Sequence, residues 1–181
     1  MVLPIVKYGH PVLRAKGKEV HEVTPAIRKL AQDMLETMVA AEGVGLAAQQ
    51  IGQAIQLTVI DVHDSEERPS SMHIAGKPVK LADHMPLVLL NPKLEFTKET
   101  ESGQEGCLSF PEMSASITRP AGVSVTAKGL DGQEIRFSAT GLLARAVQHE
   151  TDHLHGVLFI DRMSSASRAS LAGKLKRLQR A

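Results

Sequence analysis

The sequence predicts an α+β fold: mixed or antiparallel strands wrapped around one central helix, with a further helix near the C-terminal end. Three observations carry this expectation. Short apolar runs separated by turn residues fill the middle of the chain. Apolar spacing of three and four residues is confined to 25–42, 141–155 and 165–180. The middle one of these places two histidines and a glutamate among apolar residues, so it is buried and must satisfy them. With 181 residues, 43% hydrophobic and 23% charged, the chain suits one domain over 1–181 with no internal boundary. Aromatics are only 3%, which predicts an aliphatic core.

The elements follow in order. Pro4, Gly9, Pro11 and Gly17 make residues 1–23 a run of extended segments and turns. Thr24-Pro25 reads as an N-cap with proline at the first helical position. Ile27, Leu30, Ala31, Met34, Leu35 and Met38 then give a helix over 25–42 that Gly43 should stop. A buried strand is expected at 55–62, a long exposed surface loop over 63–85, and a strand at 87–91 closed by Pro92. Extended segments are expected near 101–109, 115–118 and 122–128, and Leu130-Asp131-Gly132-Gln133 is a hairpin signal leading into 134–138. Thr140 can cap a helix over 141–155 that ends at Gly156, a short apolar run fills 157–160, and Leu171, Leu175 and Leu178 mark the last helix.

Several function classes are disfavoured. A net charge of +1 does not suit a general nucleic-acid binder; such a partner would need a local patch. The one cysteine, Cys107, allows no internal disulfide and suits a reducing cytosol. The N-terminal segment lacks an apolar signal core, and no run of about 18 apolar residues occurs, so a cytoplasmic protein without a membrane span is expected.

His149-Glu150-Thr151-Asp152-His153 is an H-E-x-x-H pattern. On a helix its histidines lie one turn apart on one face and can share an ion, with Glu150 beside them to handle a proton. The pattern is short enough to arise by chance. A third ligand is needed, and the downstream chain offers no Glu and no suitably spaced His. The remaining candidate is Cys107, in the Gly-flanked stretch Glu105-Gly106-Cys107-Leu108-Ser109; the alternative is a small buried hydrophobe. Residues 43–52 are glycine-rich, but lack the strand before and the Lys-Ser/Thr after that phosphate binding requires. A helix stop explains Gly43. It leaves Gln49 and Gln50 unexplained, since a buried amide must hydrogen-bond and can donate to an oxyanion. Leu142, Arg145 and Ala146 precede His149 by seven, four and three, hence share its face. With Val44 they could line a side-chain pocket; core packing is the alternative for Leu142 and Ala146.

Together, residues 43–52 (G-x-G-L-A-A-x-Q-x-G), 105–109 (E-G-C-L-S) and 148–156 (Q-H-E-x-D-H-L-x-G) resemble peptide deformylase, in matching order and spacing over essentially the whole chain. The resemblance implies the deformylase fold around a central metal helix. It implies hydrolysis of the formyl group from the N-terminal formyl-methionine of nascent polypeptides, with release of formate. It further implies a divalent ion on Cys107, His149 and His153, ferrous iron physiologically and zinc, nickel or cobalt as substitutes. Glu150 would be the acid/base, with Gln50 and the backbone N–H of Leu108 as oxyanion donors. Gly45 would admit a substrate backbone. The stem of Arg145 is an odd pocket wall by its own chemistry; it could pack while its head reaches solvent or Glu105. Two departures stand out: the long 63–85 stretch, whose His63, His73 and His84 read as solvated, and the lack of a basic residue between Ser109 and Arg119. The tail carries Lys174, Lys176, Arg177 and Arg180 without an acid. It is a solvated helix face or, by resemblance, a weak ribosome contact.

Overall fold

The structure, a computed structural model, describes residues 1–181. Helix α1 spans Pro25–Ala40, and the Thr24 hydroxyl accepts the Ile27 N–H at its start. Nine strands follow: β1 Gly45–Ala47, β2 Leu57–Ile60, β3 Ser70–Ile74, β4 Lys77–Pro78, β5 Leu87–Phe96, β6 Thr100–Cys107, β7 Phe110–Pro120, β8 Gly122–Lys128 and β9 Glu134–Thr140. Helix α2 is Gly141–Leu154 and helix α3 is Ser165–Arg180. Seven strands form one antiparallel sheet in the order β1-β2-β5-β8-β9-β3-β4, and β6 and β7 form a separate ribbon. Helix α2 lies between them, and every residue from Leu142 to Thr151 is buried. The α+β architecture around a central helix is therefore as expected.

Four expectations need correction. Residues 63–85 are not all loop: β3 and β4 make a hairpin that extends the large sheet beside β9. Pro92 does not close its strand. The register of β5 against β8 shifts between Leu90 and Lys93, Asn91 takes φ 51°, and the strand continues to Phe96, because a bulge tolerates the missing N–H. At the end of α1 the left-handed residue is Glu42 (φ 57°), while Gly43 donates its N–H back to Met38. The core is not purely aliphatic either, since Phe110, Phe137 and Phe159 are all buried.

Thr140 stands at the N-cap of α2, but its side chain does not cap the helix. The end of the β2–β3 connection does so instead. The Pro69 carbonyl accepts the Leu142 N–H at 3.2 Å, and the Ser70 hydroxyl accepts the Leu143 N–H at 2.9 Å. This satisfies two of the donors that every helix start leaves over. The approach requires glycine at 141, where φ is 71° and a Cβ would stand 2.1 Å from the Pro69 oxygen.

Candidate metal centre

Cys107 ends β6 at a register shift against Phe110, which turns its thiol toward α2. His149 and His153 come from successive turns of that helix, their ring centroids 5.1 Å apart. The Cys107 sulfur lies 3.4 Å from His153 Nε2, and ligand atoms of all three residues lie within 4.8 Å of one another. Ligands at about 2.3 Å (S) and 2.0–2.1 Å (N) from one tetrahedral ion stand about 3.5 Å apart, so the set fits a small divalent cation. The buried His153 Nδ1 has no hydrogen-bond partner.

The second nitrogen of His149 is fixed. Its Nδ1 donates to Glu105 Oε1 at 2.9 Å, which leaves Nε2 free to ligate. Glu105 is held in turn by Arg119, through Nε at 2.6 Å and Nη2 at 2.9 Å, and by Arg145 Nη1 at 2.8 Å. Arg119 also reaches Asp152 at 2.9 Å. Burial alone would raise the Glu105 pKa, but the hydrogen bonds from His149 and Arg119 outweigh it and hold the carboxyl well below the usual range. Burial, then the charges of His149 and Arg119, keep His153 well below its ordinary value, in the neutral form that binds metal.

Glu150 stands beside this set, its Oε1 3.8 Å from His149 Nε2 and its buried Oε2 without a partner. Burial pushes its pKa up to about 7, aided by the charges of Glu105 and Asp152 and opposed by His149 and Arg119. Gly45 permits this placement: a Cβ there would come 2.8 Å from the Glu150 Cγ. Gln50 is buried in a 3-10 turn, where its Oε1 accepts the Ala47 N–H at 2.9 Å. Its Nε2 then points toward Ser109 Oγ (3.2 Å) and the Cys107 sulfur (3.5 Å). Gln49 is turned away, bonding the Ala15 carbonyl at 3.4 Å.

These groups open into a cavity of about 670 Å³ bordered by Val44, Gly45, Gln50, Glu105, Cys107, Leu108, Leu142, Arg145, Ala146, His149 and Glu150. Every expected site residue except His153 borders it; His153 is buried behind the opening. Arg145 sends its head inward to Glu105 and to the carbonyls of Ile117 and Glu101, not to solvent. A Cβ on Gly103 would stand 3.0 Å from its Nε, so that glycine makes room for the guanidinium. The sequence reading missed Lys7 and Arg68, which also border the cavity, and Arg119. No local pattern marks them; each arrives from a segment remote in sequence. An aromatic run reaches the site as well: Tyr8 stacks on Phe110 (4.8 Å), Phe110 meets Phe159 edge-on (5.0 Å), and Phe159 lies 5.9 Å from His149.

Known proteins resemble this chain over nearly its whole length. The family model described as polypeptide deformylase matches residues 2–169. A peptide deformylase of Methylacidiphilum infernorum is 44% identical over 180 residues, covering 99% of this chain and 94% of the relative. Among solved structures, the peptide deformylase of Ehrlichia chaffeensis superposes with a TM-score of 0.86 at 36% identity, covering 99% and 98% of the two chains. Arabidopsis thaliana peptide deformylase 1B, solved with an inhibitor, gives 0.83 at 35% identity, covering 97% and 90%.

Proposed function

Since the chain belongs to the polypeptide deformylase family and so removes the N-formyl group from nascent peptides, we propose that it does this as a metallo-amidohydrolase whose ion sits on Cys107, His149 and His153. The observation that carries the reading is one thiol and two imidazoles converging beside a buried carboxylate oxygen with no partner. A divalent ion there supplies Lewis acidity, acidifying water and polarising the formyl oxygen. Thiolate and imidazole do not select among first-row metals on their own. Ferrous iron is assigned by family resemblance, with zinc, nickel or cobalt as substitutes.

The chain's own groups do the rest. Glu150, with a pKa near neutrality, takes the proton from the attacking water and returns it to the departing methionine amine. The Gln50 amide and the Leu108 N–H donate to the formyl oxygen, which gains charge as water adds to the formyl carbon; one such donor contributes about 3–4 kcal/mol in other enzymes. Leu142, Ala146 and the stem of Arg145 wall the methionine side chain, with Val44 at the rim. Gly45 lets the substrate backbone approach β1, an edge strand. Anaerobically purified, iron-loaded protein should release formate from formyl-Met-Ala; Glu150→Ala should abolish release and keep the metal, whereas Cys107→Ser should lose both. Metal retained at full stoichiometry in Cys107→Ser overturns the ligand set.

Two further points belong to this reading. Residues 1–181 act as one unit in the cytoplasm, and no helix is long and apolar enough to cross a membrane. On α3, Leu175 is buried while Lys174, Lys176, Arg177 and Arg180 are exposed, a basic face suited to weak, salt-sensitive ribosome contact. Unchanged co-sedimentation after replacing these four residues by glutamine refutes it.

A further inference from the structure

We propose that Asp152 is a positioning residue of the metal centre: clamped by Arg162, it orients Arg119 and so sets, through Glu105, the plane of the His149 ring. Two forked ion pairs stand in series here. Arg119 grips Glu105 with Nε and Nη2, and Arg162 grips Asp152 with Nε at 3.2 Å and Nη2 at 3.0 Å. Arg119 Nη1, donating to Asp152 Oδ2 at 2.9 Å, joins the two forks. Arg119 is buried and bonds no other protein group, so these two carboxylates alone orient its guanidinium. A rigid, planar fork held on both sides has one favourable plane.

The series closes into a ring. Asp152 follows His149 by three residues on α2, one helical turn along. Bonds therefore run from the His149 ring to Glu105 on β6, to Arg119 on β7, to Asp152, and back along one turn of α2 to His149. The nitrogen that ligates a metal is aimed by the bond its partner nitrogen makes, so turning the imidazole strains every member of this ring. Arg162, from the 3-10 turn Phe159–Arg162, is the outer brace. It is half-exposed, and its side chain meets only Asp152. Arg119, Asp152 and Arg162 border a second cavity of about 540 Å³ on another face of α2, and none of the three borders the cavity of the metal centre. The brace thus touches neither substrate nor ion. Whatever it does to the ion, it does through Arg119 and Glu105.

The inference rests on the proposed ligand set, and cobalt lets the two fail separately. Cobalt(II)-loaded protein is titrated with a chelator while its visible absorption, which reports the geometry around the ion, is recorded. Asp152→Asn should weaken retention about tenfold, the low end for the outer partners of a ligand, and Arg162→Gln, one link further out, about threefold. Both should shift the absorption band. Arg162→Lys, which keeps the charge and loses the fork, should recover part of the effect. Arg14→Gln is the control for a merely structural role, because Arg14 pairs with Asp161 in the same 3-10 turn and lies outside the ring. It should lower the melting temperature and leave band and retention unchanged. In a Glu105→Gln background Arg162→Gln should add nothing to the loss of cobalt, since the link is already cut. With formyl-Met-Ala, the loaded variants should lose kcat and keep KM. Band and retention that ignore both Asp152→Asn and Arg162→Gln, that respond equally to Arg14→Gln, or that change additively with Glu105→Gln overturn the proposal. Should Asp152→Asn fail to fold, Arg162→Gln at its half-exposed position decides alone. Unaltered protein that takes up no cobalt sinks the metal centre itself and this inference with it.

Discussion

Gly45 controls the position of Glu150 by having no side chain. A methyl there would meet the glutamate at 2.8 Å from Cγ, and the carboxylate would have to turn away from the reaction centre. A displacement near 1 Å can cost about 10²-fold in rate. Gly45→Ala should therefore lower kcat by about that factor while metal content, measured by elemental analysis, stays near one ion per chain. Arg145 poses a different case. It is buried and donates to Glu105 and two strand carbonyls, so Arg145→Met removes a charged hydrogen bond from Glu105, which keeps Arg119 and His149, and withdraws the guanidinium from the Ile117 and Glu101 carbonyls. Thermal unfolding should show a loss of about 1.5–3 kcal/mol, and the variant should release its metal more readily to a chelator because Glu105 no longer fixes His149 as firmly. Sequence spacing placed Arg145 on the right helix face. It left the head between solvent and Glu105, because the room that decides for Glu105 comes from Gly103 on β6.

At the level of the elements, α2 depends on the loop before β3 for the start of its hydrogen bonding. Ser70→Ala removes one cap and should cost about 1 kcal/mol, a fall of about 2–4 °C in the melting temperature of a chain this size. The same dependence explains what was legible in the sequence. Helix α1 could be read because Thr24, Pro25 and its apolar spacing are local signals, and the shared face of His149 and His153 on α2 could be read because four residues make one turn. Elimination left Cys107 as a candidate third ligand beside the alternative of a small buried hydrophobe, and the resemblance of residues 105–109 to the deformylase pattern implied the ligand role. The hairpin of β3 and β4 was not, because Ser70–Ile74 is half-polar and becomes a strand only by pairing with β9. Pro92 misled for a related reason: whether proline ends a strand depends on which N–H groups the partner strand needs, and here a bulge removes the demand.

Across the whole molecule, the buried ion pairs around Glu105 set the response to acid. Its folded pKa lies well below the ordinary 4.5, so its contribution to stability is present above that value and is lost as the pH falls below it. Urea midpoints should accordingly hold near neutrality and decline once the pH drops under about 4.5, and Glu105→Gln should show a shallower acid slope from a lower starting stability. The binding of metal shares the same direction, since imidazoles must be unprotonated to ligate. The chain has one tyrosine and no tryptophan. Tyr8 begins the stack that runs through Phe110 and Phe159 to His149. Its ultraviolet emission is thus a label-free optical reporter seated two rings from the helix of His149 and Glu150, and one fluorimeter trace can follow both the melting of the fold and the uptake or loss of an ion added at Cys107, His149 and His153.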